Sequence, residues 1–317
     1  KWNGTEIYTQ VEVTSIQKMA GYYRINMTYV DDSKDDITRH PISINSRVVV
    51  VAAGSPGSAT VLMQSQSDDF QFSPALGRNW SGNGDTIGFV IGMPGPTNIG
   101  GFGTYDPLIC GGVGSTVQTS LNYYRDIELP KRLLIQDAAI PRGVSKLFRY
   151  LLRDPDLNNS MVMLGMGHDG AGGHLVWKEG RWQVKWEGLK DCGYRQMVFG
   201  QFEKLAAAHG GQYKRLKAFG NNLVTVHPLG GCGMRDDPCY GPTNHLGQVY
   251  NGIAGGRADS QTGEPEVHHG LYVADGSLMP TALGVNPYMT IGALSERVAG
   301  QLVNNPNHSD MFAVSRG

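Results

Sequence analysis

The sequence has almost no net charge and no long apolar run. Its 317 residues contain 27 Lys and Arg against 28 Asp and Glu, and no block of basic residues stands out. A chain without a basic surface has nothing to collect phosphates, so we expect no binding to nucleic acid. Apolar runs such as residues 48–53 fall far short of the roughly 20 residues that cross a bilayer, so we expect no membrane span.

Cysteine is also scarce, and its spacing matches no metal or redox motif. The chain has Cys110, Cys192, Cys232 and Cys239. Zinc sites use closely spaced pairs of Cys or His, so we expect no structural metal. Five Asn-x-Ser/Thr sequons indicate a secreted or extracellular protein, and in that oxidising setting Cys232 and Cys239 are the candidate disulfide pair.

The length and the hydrophobic pattern predict about two domains of mixed α/β character. Residues 6–16 and 22–30 alternate polar and apolar side chains, which predicts antiparallel strands. Residues 47–53 form a continuous apolar run that ends at Gly54, and residues 58–65 have helical character. A strand buried on both faces, a glycine turn and a helix are typical of a parallel α/β sheet.

The middle of the chain is harder to interpret. Residues 84–154 are rich in Gly and Pro and show no clear period. Later segments predict a strand at 161–166, a hairpin at 174–186 that turns at Glu179-Gly180, a helix at 194–209, a strand at 270–276 and a helix at 290–304. The sequence therefore predicts two α/β pieces around an antiparallel middle.

Three glycine-containing segments carry groups suited to anion or proton chemistry. Residues 53–58 lie where a strand ends and a helix begins, the usual place for a nucleotide in an α/β sheet, so Gly54, Ser55 and Gly57 are candidate cofactor ligands. A glycine turn after a strand also serves packing alone. The other two segments are His-Pro-Leu-Gly-Gly at 227–231 and Gly-Val-Asn-Pro at 284–287, the latter following Asp-Gly-Ser-Leu at 275–278.

A histidine and an asparagine in such loops suit the oxidation of an alcohol. The reaction needs a base near neutral pKa within reach of the hydroxyl proton, and His227 is the candidate. Asn286 offers both a donor and an acceptor to hold the oxygen, and Pro287 stiffens its loop. The competing interpretation is a hydrogen-bonded loop histidine and a turn asparagine, which is commoner for either residue alone.

In order and spacing, these motifs resemble the glucose-methanol-choline oxidoreductase family, most strongly its cholesterol-oxidase branch. The resemblance covers nearly the whole chain and implies FAD as cofactor and a bulky, fairly apolar alcohol as substrate. It implies a fold of α/β (α+β mixed) class, with part of an FAD-binding Rossmann-like domain at 1–83 and 263–303 and an antiparallel-sheet substrate domain at 84–262. Oxidase and dehydrogenase activity are not distinguished.

The resemblance also assigns cofactor contacts. Val13 corresponds to a valine that lies on the adenine. Asp275 and Gly276 correspond to residues along the ribityl chain and the pyrophosphate. Backbone after Asn286 and Pro287 meets the flavin ring in the family, which here implies Tyr288 and Met289.

Gln136 marks a departure from the sterol oxidases. Those enzymes carry a glutamate, needed for double-bond isomerisation, in a segment that best matches residues 134–141, and the matching position here is Gln136. An amide cannot take up a proton as a carboxylate does, so we expect no steroid isomerisation unless Asp137 takes that role. We interpret Asp137 as a solvated loop carboxylate.

The strand–Gly-x-Gly-x-x-Gly–helix unit that opens such flavoenzymes is missing. We therefore expect a companion polypeptide, cleaved from the same gene product or encoded separately, to supply the pyrophosphate site. A non-catalytic binding relative and a non-redox flavin reaction, such as isomerisation or elimination, are the alternatives.

Three further features receive structural interpretations. We interpret His168-Asp169, beside the glycines at 170–173, as a turn at a hairpin edge, and His268-His269 as an exposed approach to a strand. The tryptophans of the predicted hairpin are interpreted as sheet packing, with a wall for an apolar substrate as the alternative: Trp177, Trp182 and Trp186.

Overall fold

The protein is described here from a computed structural model. The structure describes residues 4–33, 37–95, 97, 99, 117, 119–125, 127–140, 147–148, 150, 157–189, 193–215, 224–252, 263 and 265–308. Two of the cysteines, Cys110 and Cys192, lie outside these ranges.

The predicted antiparallel meander is confirmed. Strands β1 (Val11–Met19), β2 (Tyr22–Asp31) and β3 (Thr38–Ser46) form a three-stranded sheet in that order. Gly21 at φ +83° makes the tight turn between the first two, a conformation that glycine adopts without strain. Strand β3 is the outer one, and its side chains are exposed from Thr38 to Asn45.

The predicted strand, glycine turn and helix are also present. Strand β4 (Val49–Val51) is followed by helix α1 (Gly54–Ser65) and pairs in parallel with a late strand, β13 (Val267–Val273). Strand β12 (Gln248–Tyr250) lies on the far side of β13, so the order is β12-β13-β4 and β4 is an edge strand. The parallel pair and α1 place two segments of the sequence, near 54 and near 275, at the same end of one sheet.

The middle of the chain forms a five-stranded antiparallel sheet. Its order is β11-β5-β8-β7-β6. One face carries helix α2 (Gly193–Ala208), whose Val198 and Phe202 are fully buried. The strands are β5 (Thr86–Ile91), β6 (Ser120–Tyr123), β7 (Leu133–Ala138), β8 (Met161–Gly167) and β11 (Gln212–Lys214).

Three of these strands come from the segment that showed no period. The first four residues of β5 and the first three of β7 are mostly buried, so neither strand shows the alternation that marks a half-exposed one. Gly88 in β5 lies under Phe202, and a Cβ at this position would come within 2.5 Å of the ring. Glycine therefore reflects close packing of the helix here, not a turn.

A hairpin and a last helix complete the fold. Strands β9 (His174–Lys178) and β10 (Arg181–Lys185) pair around a turn in which Glu179 and Gly180 both have positive φ. Trp177 faces Trp182 across the pair, and both are partly exposed. Helix α3 (Tyr288–Asn304) closes the chain against β13 through Val298 and Leu302.

The predicted domain boundaries stay a prediction. The core under the parallel strands contains Val51, Leu62 and Leu271, as expected from residues 1–83 and 263–303. It also draws Leu175 and Val249 from the segment assigned to the substrate domain. The two parts therefore share buried surface in this fold.

Two minor expectations were wrong. His268 is buried between Phe70 and Phe72, and its Nε2 lies 2.8 Å from the carbonyl oxygen of Gln71, because its side chain points inward from β13. Burial lowers its pKa to about 4. Cys232 and Cys239 are both free thiols, the first buried and the second exposed, so they form no disulfide. The extracellular location that the sequons indicate stays a prediction.

Within the described ranges the chain has neither a helix that could span a membrane nor a cluster of metal ligands. No helix there has the length and apolar character needed to cross a bilayer. In the same part of the chain, no three side chains of His, Cys, Asp or Glu lie close enough to hold a metal ion.

Candidate active site

His227 is oriented by a buried carboxylate that the sequence did not reveal. Its Nδ1 lies 3.0 and 3.1 Å from the two oxygens of Asp85. Asp85 is 0% exposed, whereas the His227 side chain is 17% exposed. An Nδ1–H that donates to the carboxylate fixes the tautomer and leaves Nε2 as the nitrogen able to accept a proton.

Asp85 is itself fixed by the loop that carries His227. Its Oδ2 accepts hydrogen bonds from the backbone N–H groups of Val226 (2.8 Å) and His227 (3.1 Å), and from the Thr225 hydroxyl (3.2 Å). Its Oδ1 contacts the imidazole. The Oδ2 oxygen therefore holds the backbone of the His227 loop, and the carboxylate also orients the His227 ring.

The loop before Asn286 is held by a second buried side chain, Asn83. The Asn83 Oδ1 accepts from the N–H groups of Leu283 (3.0 Å) and Gly284 (2.9 Å), and its Nδ2 donates to the carbonyl of Val285 (2.8 Å). Asn286 is exposed, directly before the start of α3. Asp85 thus holds the loop that carries His227, and Asn83 holds the loop that carries Asn286.

Tyr124 and His168 touch the same loop. The Tyr124 hydroxyl donates to the carbonyl of Gly284 at 3.0 Å. His168 is hydrogen bonded to the backbone of Ala282, and burial lowers its pKa. His168 is thus a second histidine beside this loop, and its ring is hydrogen bonded to the loop backbone.

Asp169 organises the turn that carries Asn83 and Asp85. It is buried, and its carboxylate accepts from the Ser81 hydroxyl (2.8 Å) and from the N–H groups of Gly82 (2.9 Å) and Gly84 (3.0 Å). The spacing Gly-x-Gly-x-x-Gly does occur at 165–170, but it runs from β8 into the β9 hairpin and not into a helix. The segment is therefore an internal brace and not a dinucleotide motif.

Hydrogen bonds join the turn at 54–55, the His-Pro-Leu-Gly-Gly loop and the Asp-Gly-Ser-Leu stretch at 275–278. The Ser55 hydroxyl donates to the carbonyl of Gly230 at 2.8 Å, and the Gly230 N–H donates to the carbonyl of Gly276 at 3.1 Å. Asp275 accepts from the N–H of Gly54 at 2.9 Å. Hydrogen bonds thus join the start of α1, the His227 loop and the end of β13.

Asp275 acts as a brace inside this cluster. Besides the Gly54 N–H, its carboxylate accepts from the hydroxyl of Ser58 and from both the N–H (2.8 Å) and the hydroxyl (2.5 Å) of Ser277. Four donors occupy its two oxygens.

Gly230 is a position where glycine is required. Its φ is +79°, and a Cβ there would lie 2.2 Å from the carbonyl oxygen of Asn79. The predicted cofactor residue Gly57 is less constrained, since its Cβ would lie 3.0 Å from that of Ala53. Gly230 of the His-Pro-Leu-Gly-Gly segment thus serves close packing against the turn before Trp80.

The start of α3 presents an open, partly apolar surface. Its N-cap residue Pro287 makes no side-chain capping bond, and no acidic residue lies in the first turn. Tyr288 and Met289 are 81% and 76% exposed. The N–H groups of the first turn of α3 have no partner within the helix. Together with the exposed side chains of Tyr288 and Met289, they suit a planar aromatic ligand that carries hydrogen-bond acceptor oxygens.

The remaining predicted residues lie apart from this cluster. Val13 is 41% exposed beside a bulge in β1. Gln136 and Asp137 are adjacent on β7 and therefore point to opposite faces of the five-stranded sheet. Gln136 donates to the Ser120 hydroxyl at 3.0 Å, and its buried Oε1 has no partner among the described residues.

The interpretation of Asp137 as a loop carboxylate was wrong. It lies within β7, half-buried, and accepts the N–H of Thr119 at 2.7 Å. The two residues that sequence reasoning missed entirely are Asn83 and Asp85. They stand in a Gly-Asn-Gly-Asp turn whose composition predicts a solvated loop, so no local signal marked them as buried.

Comparisons with known proteins agree with this arrangement. No family model matches the chain. A cholesterol oxidase from Acinetobacter baumannii is 36% identical over 77 residues, which is 24% of this chain and 11% of that protein.

Among solved structures, similar folds are found at 13% identity. A formate oxidase has a TM-score of 0.62 over 95% of this chain and 61% of its own. An FAD-dependent oxidoreductase from Chaetomium thermophilum has 0.58 over 95% and 62%, and pyridoxine 4-oxidase from Mesorbium loti has 0.58 over 92% and 57%. The chain thus spans about three-fifths of each of these structures.

The fold, the order of the three motifs and the local match to a cholesterol oxidase agree with one another. The antiparallel middle sheet and the partial Rossmann-like sheet correspond to the predicted mixed α/β class. The chain therefore shares the fold of these solved structures, and its motifs resemble those of the glucose-methanol-choline oxidoreductases.

Proposed function

We propose that this chain is the catalytic part of an FAD-dependent enzyme that oxidises the CH–OH group of an alcohol. The observation that carries the proposal is the pair His227–Asp85. A buried carboxylate on Nδ1 turns Nε2 into the acceptor, and the partly exposed ring keeps that nitrogen accessible. A histidine held in one tautomer is what a base for a hydroxyl proton requires.

Asn286 complements the base. Its side chain is exposed at the end of a loop whose backbone is fixed at three points by Asn83. An amide can donate to the substrate oxygen and so orient the hydroxyl group for removal of its proton by the base. In this mechanism His227 takes the hydroxyl proton, Asn286 orients the oxygen, and Asp85 stabilises the imidazolium that results.

The residues at the two helix starts fit an FAD molecule. The open first turn of α3, with Tyr288 and Met289, offers N–H donors and an apolar surface to the flavin ring. Gly54 has open space where a Cβ would lie, which lets a ligand approach the backbone at the start of α1. Bound FAD would supply the acceptor for the carbinol hydride.

We propose a bulky, fairly apolar alcohol as substrate. The support is the local match to a protein named cholesterol oxidase and the residue at position 136. The buried Oε1 of Gln136, on the face of the middle sheet away from α2, has no hydrogen-bond partner in the part of the chain that the structure describes. As an amide, Gln136 can accept a hydrogen bond from a substrate but cannot shuttle a proton, so we propose oxidation without double-bond isomerisation.

Spectroscopy of the assembled protein tests the reaction. We expect the protein, purified with any chain that accompanies it, to show flavin absorbance that bleaches anaerobically with one or more members of an alcohol panel. Methyl ethers of the same alcohols are matched controls and should bleach nothing, because they have no hydroxyl proton for His227. Flavin that no alcohol bleaches, or bleaching by ethers at the same rate, would contradict the proposal.

We propose that a companion polypeptide segment pairs with the edge of β4. The carbonyl of Val51 accepts from Ala274, so Val51 faces β13 and the N–H and carbonyl of Val50 face the other way. Within the described residues no strand lies on that side, and Val50 is 44% exposed. A strand, glycine turn and helix added here would extend the parallel sheet and bring phosphate-binding N–H groups to its cofactor end.

Val50→Pro tests this edge. Proline at an edge position removes only the outward N–H, so we expect the chain to fold with little change in Tm. The amount of companion polypeptide that copurifies and the flavin content should both fall at least about tenfold. The hydrogen bond from the backbone N–H of residue 50 to the added strand is lost, and the proline ring clashes with that strand. Val50→Ala keeps the N–H and is the control. Full flavin content in Val50→Pro would show that the companion binds elsewhere.

A further inference from the structure

Asn83 and Asp85 stand two residues apart and hold the two halves of the candidate site. Asp85 bonds the loop at 225–227, and Asn83 bonds the loop at 283–285. We propose that Asn83 is a positioning residue that sets where Asn286 stands relative to His227. This inference rests on the proposed function and adds to it a residue that no motif marks.

The side chain of Asn83 uses its hydrogen-bonding groups on one backbone loop. It is fully buried, and it makes two bonds as acceptor and one as donor, all between 2.8 and 3.0 Å. Aspartate at this position would lose the donor, and serine could reach fewer of the three partners. Its φ of +56° lies in the left-handed region, where asparagine is enriched among residues with a side chain.

Hydrogen bonds and close packing hold the turn around Asn83 in place. Asp169 holds the N–H groups on both sides of it, those of Gly82 and Gly84. Gly84 at φ +65° packs so closely that a Cβ would lie 2.5 Å from the carbonyl of Gly167. The Ser81 hydroxyl accepts the N–H of Asn83 at 2.8 Å and donates to Asp169. Because this turn is rigid, the loop that Asn83 bonds has a fixed position relative to the loop that Asp85 bonds.

The expected consequence is a change in rate without a matching change in binding. A displacement of about 1 Å between reacting groups costs roughly 10²-fold in rate, whereas affinity is set mainly by the wider pocket. Loss of the Asn83 side chain should therefore lower the limiting rate of flavin reduction. The dissociation constant of the alcohol should move far less.

Asn83→Gly is the test variant. Glycine accepts the positive φ, so the substitution removes the three hydrogen bonds without straining the backbone. Its matched control is Asn79→Gly, which has the same φ of 56° but whose side chain makes only a 3.5 Å contact with the carbonyl of Tyr240. Limiting rates and dissociation constants come from anaerobic flavin reduction by the assembled protein over a range of alcohol concentrations.

We expect Asn83→Gly to slow the limiting rate about 10- to 100-fold, with flavin content retained and the dissociation constant within about threefold. Asn79→Gly should stay within about twofold. If Asn83→Gly does not fold, Tyr124→Phe removes one bond to Gly284 and should slow the rate about threefold or more. A wild-type protein that bleaches while these variants bleach equally fast would overturn the inference alone. A wild-type protein that no alcohol bleaches would overturn the proposed function.

Discussion

Replacing His227 with Ala is expected to slow anaerobic flavin reduction by alcohols about 10²- to 10⁴-fold. This range is the usual contribution of a positioned general base, and methyl cannot replace Nε2 as the proton acceptor. Asp85 keeps its hydrogen bonds to the Val226 N–H and the Thr225 hydroxyl in this variant, so we expect folding and flavin content to be retained. Rapid mixing with alcohol under nitrogen measures the rate.

A second histidine provides the control for this variant. His209 is exposed, and its ring bonds only the carbonyl of Leu205 in its own helical turn. His209→Ala should therefore reduce flavin at the wild-type rate. If His227→Ala also kept that rate with every alcohol tested, His227 would not be the base.

Asp85→Asn is expected to slow the same step about 10²- to 10³-fold, although it changes a single atom. The reason is geometric. The Oδ2 position accepts two backbone N–H groups and a hydroxyl, so the amide oxygen of an asparagine must occupy it. The amide NH₂ is then forced to the Oδ1 position, 3.1 Å from Nδ1 of His227.

An NH₂ group at that point can donate to Nδ1 and competes with the amide oxygen at the Oδ2 position, which stays 3.0 Å from Nδ1. The amide also carries no charge, so it neither holds the imidazole proton on Nδ1 as the carboxylate does nor stabilises the imidazolium, and a ring with its proton on Nε2 cannot accept a proton from the substrate. Asp69→Asn is the control, because that carboxylate is exposed and bonds only the nearby Ser67 hydroxyl. A wild-type rate in Asp85→Asn with intact folding would show that the carboxylate does not set the tautomer.

The sequence predicted the part of the fold around β4 and α1 well, because the local pattern of residues determines these elements. A run of valines ending at Gly54 predicts a strand and a turn, and α1 begins where the glycine allows it, although β4 is an edge strand and not buried on both faces as expected. The motif at 227–231 and the Asn-Pro at 286–287 were likewise marked by unusual residue types. The structure joins these segments by short backbone hydrogen bonds such as that from Gly230 to Gly276.

The other features of the fold and the site depend on contacts between segments that are distant in the sequence. The residues near each of them therefore showed no pattern from which they could be predicted. Strands β5 and β7 both pair with β8 and are buried in apolar clusters, one of them under α2, so their sequences lack a period. Asn83 and Asp85 sit in a turn that reads as solvated, yet both are buried by loops more than 130 residues later. Position 268 looked exposed for the same reason, since its two aromatic neighbours come from residues 70–72.

The measurement that tests the account most directly is the rate of anaerobic flavin reduction in four proteins: wild type, His227→Ala, Asp85→Asn and the double variant. If Asp85 acts through His227, the double variant should be no slower than His227→Ala alone within about threefold, because residues acting as one unit are not additive. Slowing by the product of the two single effects, or wild-type rates in either single variant, would contradict an Asp85–His227 base.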